Sequence, residues 1–202
     1  MNAGLAGKRS SSSWEAINDS LTRPQVRATR EHPLLHRLET DTDIADLLRW
    51  PGEFDLDRRD PVEELRLPRG LPLAPIAGCG SGGTYFLCGH PDDEQRPVLY
   101  ASSEGQVTLI ADNLHEAIML IAAFPFWQDL GQGLPAAALE DQMHEDHPDF
   151  GELRDHLITS LRLPRLSVDE AVTRLRAAAG RTAPHYLPTA VGEAKPYELL
   201  FS

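Results

Sequence analysis

Val98-Leu-Tyr-Ala-Ser-Ser-Glu-Gly-Gln-Val-Thr-Leu-Ile-Ala-Asp-Asn-Leu-His-Glu-Ala-Ile-Met-Leu-Ile121 decides the fold by its rhythm. Val98–Ala101 and residues 107–110 are short β-prone runs, and the Ser-Ser-Glu-Gly between them reads as a tight turn. At Asp112 to Asn113 the apolar period lengthens from two to about 3.6 residues. Asn113 is a good N-cap, and Glu116 three residues on makes a capping box. Leu114, Ala117, Ile118 and Ile121 then share one helical face, and Pro125 ends or kinks the helix. Connections this short exclude parallel neighbours, which need crossovers of about a dozen residues or more. The segment therefore predicts an antiparallel meander with a helix lying on it.

Upstream, residues 71–77 are apolar but contain Pro72 and Pro75, so a strand there belongs at a sheet edge or starts late. Gly78-Cys79-Gly80-Ser81-Gly82-Gly83 is a turn, and Thr84–Cys88 is rich in aromatic and branched side chains. Residues 1–12 are small and polar and predict a disordered lead-in. Residues 14–38 are weakly helical, broken by Pro24 and Pro33, with Leu34, Leu35 and Leu38 on one face. Residues 41–50 predict a second short helix stopped by Pro51-Gly52. Downstream, residues 134–147 and 150–163 read as helices. Ser167 with Glu170 is a second capping box, opening a helix that stops at Gly180. Residues 197–201 are an apolar tail expected to add a strand or plug a groove. Together these predict one α+β domain over residues 13–202. Its core lies at about 71–130, a mostly antiparallel sheet with helices packed on one side and helical extensions either way.

The chain has 202 residues, 41% hydrophobic and 25% charged, enough to bury a core without disulfides or metals. No apolar run approaches the ~20 residues of a membrane span, and no apolar leader of the secretory kind is visible. With Cys79 and Cys88 as its two cysteines, the protein is expected in the reducing cytoplasm without a disulfide framework. Thirty-one acidic side chains face nineteen basic ones, a net charge of -12, which disfavours nucleic acid as a partner. A basic protein is the complementary partner, although such charge also serves solubility alone. Two stretches concentrate it: residues 39–64 hold ten acidic and three basic side chains, and residues 140–155 hold seven acidic and one Arg. Asp55, Asp57 and Asp60 in the first, and Glu145, Asp146 and Asp149 in the second, are the candidate partner-binding residues. Trp127, in Phe124-Pro125-Phe126-Trp127, is either core or an interface anchor.

Catalytic and metal signatures are weak. Gly78-x-Gly80-x-x-Gly83 fits the letters of a dinucleotide fingerprint, but a strand follows where that motif needs a helix, so the glycines read as a hairpin. His144 and His147 lie three apart near Glu140, whereas a catalytic zinc helix carries histidines four apart; an exposed acidic helix end explains them as well. Cys79 and Cys88 fall about 13 Å apart along the predicted hairpin, beyond a disulfide's reach of about 7 Å. No nucleophile elbow surrounds Ser81. No catalytic residue, metal or cofactor is expected.

Three pieces in order, Leu73 to Cys88, Arg96 to Gly105 and Leu109 to Ile118, resemble the core of the SUKH superfamily. That superfamily includes the Smi/Knr-type yeast cell-wall assembly regulator and many bacterial immunity proteins. The likeness spans roughly the middle third of the chain. It implies an α+β fold and a non-catalytic binding protein, typically a cytoplasmic immunity protein that neutralises a toxin, often a nuclease. Two other readings stay open: a small-ligand binder using the Gly78 to Gly83 hairpin, and a regulatory adaptor with no toxin partner.

Overall fold

The computed structural model describes Met1, residues 32–93 and residues 95–201. The expected lead-in at 1–12, and the helix expected from residue 14 up to residue 31, lie outside the described residues. The described chain is α+β. Helices α1 (Pro33–Thr40) and α2 (Thr42–Arg49) precede β1 (Leu65–Arg66), β2 (Leu73–Gly78), β3 (Thr84–Cys88), β4 (Val98–Ala101) and β5 (Gln106–Ala111). Helices α3 (Leu114–Ala123), α4 (Ala136–Asp146), α5 (Phe150–Leu161) and α6 (Val168–Ala179) follow, then β6 (Thr189–Ala190) and β7 (Glu198–Leu199). Pro33 opens α1, where a missing N–H costs nothing in the first turn.

The main sheet has the order β2-β3-β4-β5-β7. Its first four strands form the antiparallel meander, with Phe86 opposite Leu99 and Leu99 opposite Leu109. Pro75 sits in the edge strand β2, at a register shift that spares the ladder its missing N–H. The tail adds β7 to the other edge, parallel to β5, with Leu200 N–H donating to the Val107 carbonyl at 2.9 Å. Beyond β7 the edge is closed by a side chain: Leu109 N–H donates to Thr182 Oγ1 at 2.9 Å, and Thr182 is fully buried.

Both faces of the sheet are covered, and β3 and β4 are accordingly buried at every position. Tyr85, Leu87, Val98 and Tyr100 face the helices, while Phe86, Cys88, Leu99 and Ala101 join a second cluster under Leu67, Leu71 and Tyr186. The two-stranded antiparallel pair β1-β6 contributes to that second layer. Cys79 and Cys88 are free, buried, and divided between the two clusters. Helix α3 begins as its cap predicts, Asn113 Oδ1 accepting the Glu116 N–H at 2.9 Å, although the Glu116 carboxylate reaches Asp112 N–H instead of closing the box on Asn113. It is apolar nearly all round, with Met119, Leu120, Ala122 and Ala123 buried as well as the expected face, so it is the central helix of the domain. The Ser167–Glu170 box at the start of α6 is complete.

Candidate functional site

Helix α2 is short, and its anchoring decides what the surface beside it offers. Asp41 caps it through Ile44 N–H, and Ile44, Leu47 and Leu48 are buried. The chain then reverses at Pro51-Gly52 so tightly that a Cβ on Gly52 would overlap the Leu48 carbonyl, and Phe54 N–H donates back to that carbonyl at 3.0 Å. Trp50, left at the outside of this reversal, is 42% exposed. Its indole meets the His147 imidazole edge-on, centroids 4.6 Å apart at 75°. His147 is the residue that ends α4, its N–H donating to the Met143 carbonyl. Acidic stretches 39–64 and 140–155, distant in sequence, thus meet where the exposed Trp50 touches the half-buried His147.

Arginines partly neutralise both stretches from within. Arg49 lies 2.9 Å from Asp46, 3.4 Å from Asp55 and 2.9 Å from Asp57, and its guanidinium is held above its usual range, chiefly by the hydrogen bond to Asp55. Arg59 pairs with Glu39 at 2.6 Å, Arg154 with Glu140 at 3.5 Å, and Arg165 with Asp155 at 2.6 Å. The Arg165 hydrogen bond holds the Asp155 carboxyl below its usual range. Among the described residues, Asp60, Glu145, Asp146 and Asp149 are exposed and make no ion pair, which leaves them available to outside cations.

Two sequence candidates need correction. Trp127 is fully buried, its ring edge-on to Tyr100 at 5.1 Å and close to Tyr85 and Phe201, so it is core and offers no surface to a partner. Asp55 is a structural residue: its side chain is 18% exposed, accepts the Asp57 N–H at 3.0 Å and pairs with Arg49, while its backbone bridges Gly78 in both directions. Asp57 is exposed but engaged by Arg49, and Asp60 is exposed. Trp50, one of the three tryptophans, was not among the partner-binding candidates. Its only signal was its place between a short amphipathic helix and a Pro-Gly stop inside an acidic stretch.

The Gly78 to Gly83 hairpin is filled by the chain itself. Gly80 N–H donates to Glu53 Oε2 at 2.7 Å, and a Cβ on Gly83 would overlap the Tyr100 hydroxyl. That hydroxyl lies 3.5 Å from Cys79 Sγ and donates to Gln128 Oε1 at 2.9 Å, while Gln128 Nε2 donates to the Tyr85 hydroxyl at 3.1 Å. Burial pushes both phenols, Tyr85 and Tyr100, above their usual range, so both stay protonated. This network ties the hairpin to the helical layer and leaves little room for a ligand.

His144 and His147 turn towards different rings, His144 to Phe150 at 5.2 Å and His147 to Trp50. Among the described residues, no group of three or more His, Cys, Asp or Glu side chains is arranged to hold a metal. None of the described helices is long and apolar enough to cross a membrane. Comparison with protein-family models, curated proteins and solved structures finds no match to this chain.

Proposed function

We propose that this chain is a non-catalytic protein-binding module whose partner presents a basic surface. The observation that carries the reading is Trp50, a large aromatic side chain 42% exposed where two acidic stretches meet. Aromatic anchors hold complexes, and surrounding charges steer encounter and reject wrong partners. Asp60, Glu145, Asp146 and Asp149 supply the steering charge. The likeness of residues 73–118 to the SUKH core supports an immunity-type role, binding and neutralising a basic toxin in the cytoplasm. Two free, buried cysteines accord with that reducing compartment.

The test is site-specific photocrosslinking in the native cell, with the photoreactive residue at position 50 and, as control, at Val191, which is equally exposed (41%) but outside both acidic stretches. The reading expects one basic protein captured at position 50 and not at 191, with capture falling as salt rises. Equal capture at both positions, or an acidic partner, would overturn it.

A further inference from the structure

A cavity of about 290 Å³ opens between the turn Pro68–Gly70, the end of β3 and the turn that follows α6. Its polar groups come from Arg69, His90, His185 and Tyr186, its apolar wall from Leu71 and Pro72, and no carboxylate lines it. On a chain with 31 acidic side chains, a pocket with four hydrogen-bond donors and no acid stands apart from the rest of the surface. The geometry points to a binding site for a small organic anion, phosphate- or carboxylate-headed, with a flat apolar body resting on Tyr186 and Pro72. The site is independent of the Trp50 surface.

Its three walls are each fixed by backbone hydrogen bonds. Gly70 N–H donates to the Leu67 carbonyl at 3.2 Å, Gly89 N–H to the Pro72 carbonyl at 2.9 Å, and Tyr186 N–H to the Thr182 carbonyl at 2.8 Å. Thr182 is in turn tied to β5. The backbone that carries the donors is thus set before a ligand arrives, while the exposed Arg69, His90 and His185 side chains still have to order on binding.

Two further features bear on the site. Arg69 sits in left-handed backbone at φ 61°, ψ 14°, beside Gly70 at φ 68°. A non-glycine residue in that region is strained, and glycine would relieve it. Behind the pocket, Arg96 packs its stem against Gly89, the neighbour of His90. Arg96 is 5% exposed, its Nε has no hydrogen-bond partner, and it makes no ion pair among the described residues. A nearby Cys88 does not neutralise it, because burial keeps that thiol protonated up to about 12. The Asp93 carboxylate acts on Arg96 through space and offsets part of its charge, but the buried Arg96 Nε keeps no hydrogen-bond partner.

The experiment titrates the full chain with phenyl phosphate, benzoate and neutral phenol at matched ionic strength, reading amide and ring resonances by NMR. Either anion is expected to shift His90, His185 and Tyr186 saturably and more tightly than phenol, and the two anion arms tell which head group is preferred. Arg69→Gly and His185→Ala should each weaken the anion by about tenfold, the loss typical of one charge-assisted hydrogen bond. Arg69→Gly also removes the backbone strain, so it is expected to fold at least as stably as the wild type, and lost binding cannot be put down to unfolding. No saturable shift up to about 50 mM, phenol binding as well as the anions, or affinity unchanged in both variants would each overturn the site.

Discussion

The Trp50 indole and the His147 imidazole meet edge-on with centroids 4.6 Å apart, and through them the end of α2 abuts the end of α4. An aromatic pair of this kind contributes about 0.5–1.5 kcal/mol beyond its buried area. The contact uses one edge of an indole that is still 42% exposed. Trp50→Ala should therefore cost the pair contribution plus that of the buried part of the indole, about 2 kcal/mol in urea unfolding and less than the ~3–5 kcal/mol of a fully buried Trp. Partner affinity should fall by about 2 kcal/mol or more, mainly as faster dissociation. Replacing Glu145, Asp146 and Asp149 together by Lys should slow association and reduce its salt dependence, leaving dissociation nearly as it was. Surface plasmon resonance at two salt concentrations separates the two effects. Identical kinetics for wild type, W50A and the triple variant would remove the acidic-aromatic surface from consideration.

Asp55 and Asp57 are two residues apart and both touch Arg49, yet they should respond unequally to substitution. Asp55 is half-sheltered and organises its own turn, so Asp55→Ala should lower stability by about 1–2 kcal/mol. Asp57 has a side chain 84% exposed, and Asp57→Ala should stay within about 0.5 kcal/mol of wild type. Chemical denaturation of the two variants side by side checks the contrast, and equal values would mean that the Asp55 turn contributes nothing.

Much of the fold was legible in the sequence because its decisive signals are local. The meander, the start of α3 and the start of α6 follow from alternation, turn residues and caps within a few positions of each other. Pro75 correctly marked an edge strand. What could not be read depends on distant chain. The tail was expected to add a strand or plug a groove, but its parallel pairing, Gln106 with Glu198 and Val107 with Leu199, is set by residues far back in the chain. The strands β1 and β6 are two residues each and carry no pattern. That both faces of the sheet are covered was not part of the sequence reading, which placed helices on one side; β3 and β4 are buried at every position because the second face carries its own apolar cluster. The exposure of Trp50 and the burial of Trp127 were not readable, since each is fixed by which helix end packs against which. Asp55 looked like any acidic loop residue until its backbone bridge to Gly78 was seen.

Gly83 and Gly105 separate two reasons for glycine. Gly105 has φ 81° and open space around its Cβ position, so Gly105→Ala should cost only the backbone strain, about 1 kcal/mol. A Cβ on Gly83 would collide with the Tyr100 ring and hydroxyl in a packed core, so Gly83→Ala should cost about 3 kcal/mol or more. Tyr100→Phe removes the hydroxyl that joins Cys79 to Gln128 and should cost about 1 kcal/mol. A thermal melt that ranks Gly105→Ala as the more damaging of the two glycine variants would refute the close approach at the hairpin.

Alkaline stability should be limited first by Cys88. Burial pushes its thiol up to about 12, whereas an unfolded cysteine ionises at about 8.5. The folded state thus keeps a proton that the unfolded chain gives up. The contribution is fully present below about pH 8.5 and is lost as pH rises towards 12, because the unfolded state alone gains from ionisation in that window. Tyr85 and Tyr100 are displaced in the same direction by burial, but unfolded tyrosines ionise only at about pH 10, so their part of the loss begins later. Cys88→Ala, which also leaves a small cavity, should be less stable than wild type at neutral pH, yet its unfolding free energy should fall less between about pH 8 and pH 10. Urea unfolding at closely spaced pH values reads the two slopes directly. The thiol should also react with an aromatic disulfide reagent only at the rate of protein opening, being 1% exposed in the fold. Parallel pH curves for wild type and Cys88→Ala, or rapid labelling of Cys88 in the native protein, would show that this thiol is not sealed beneath the second face of the sheet.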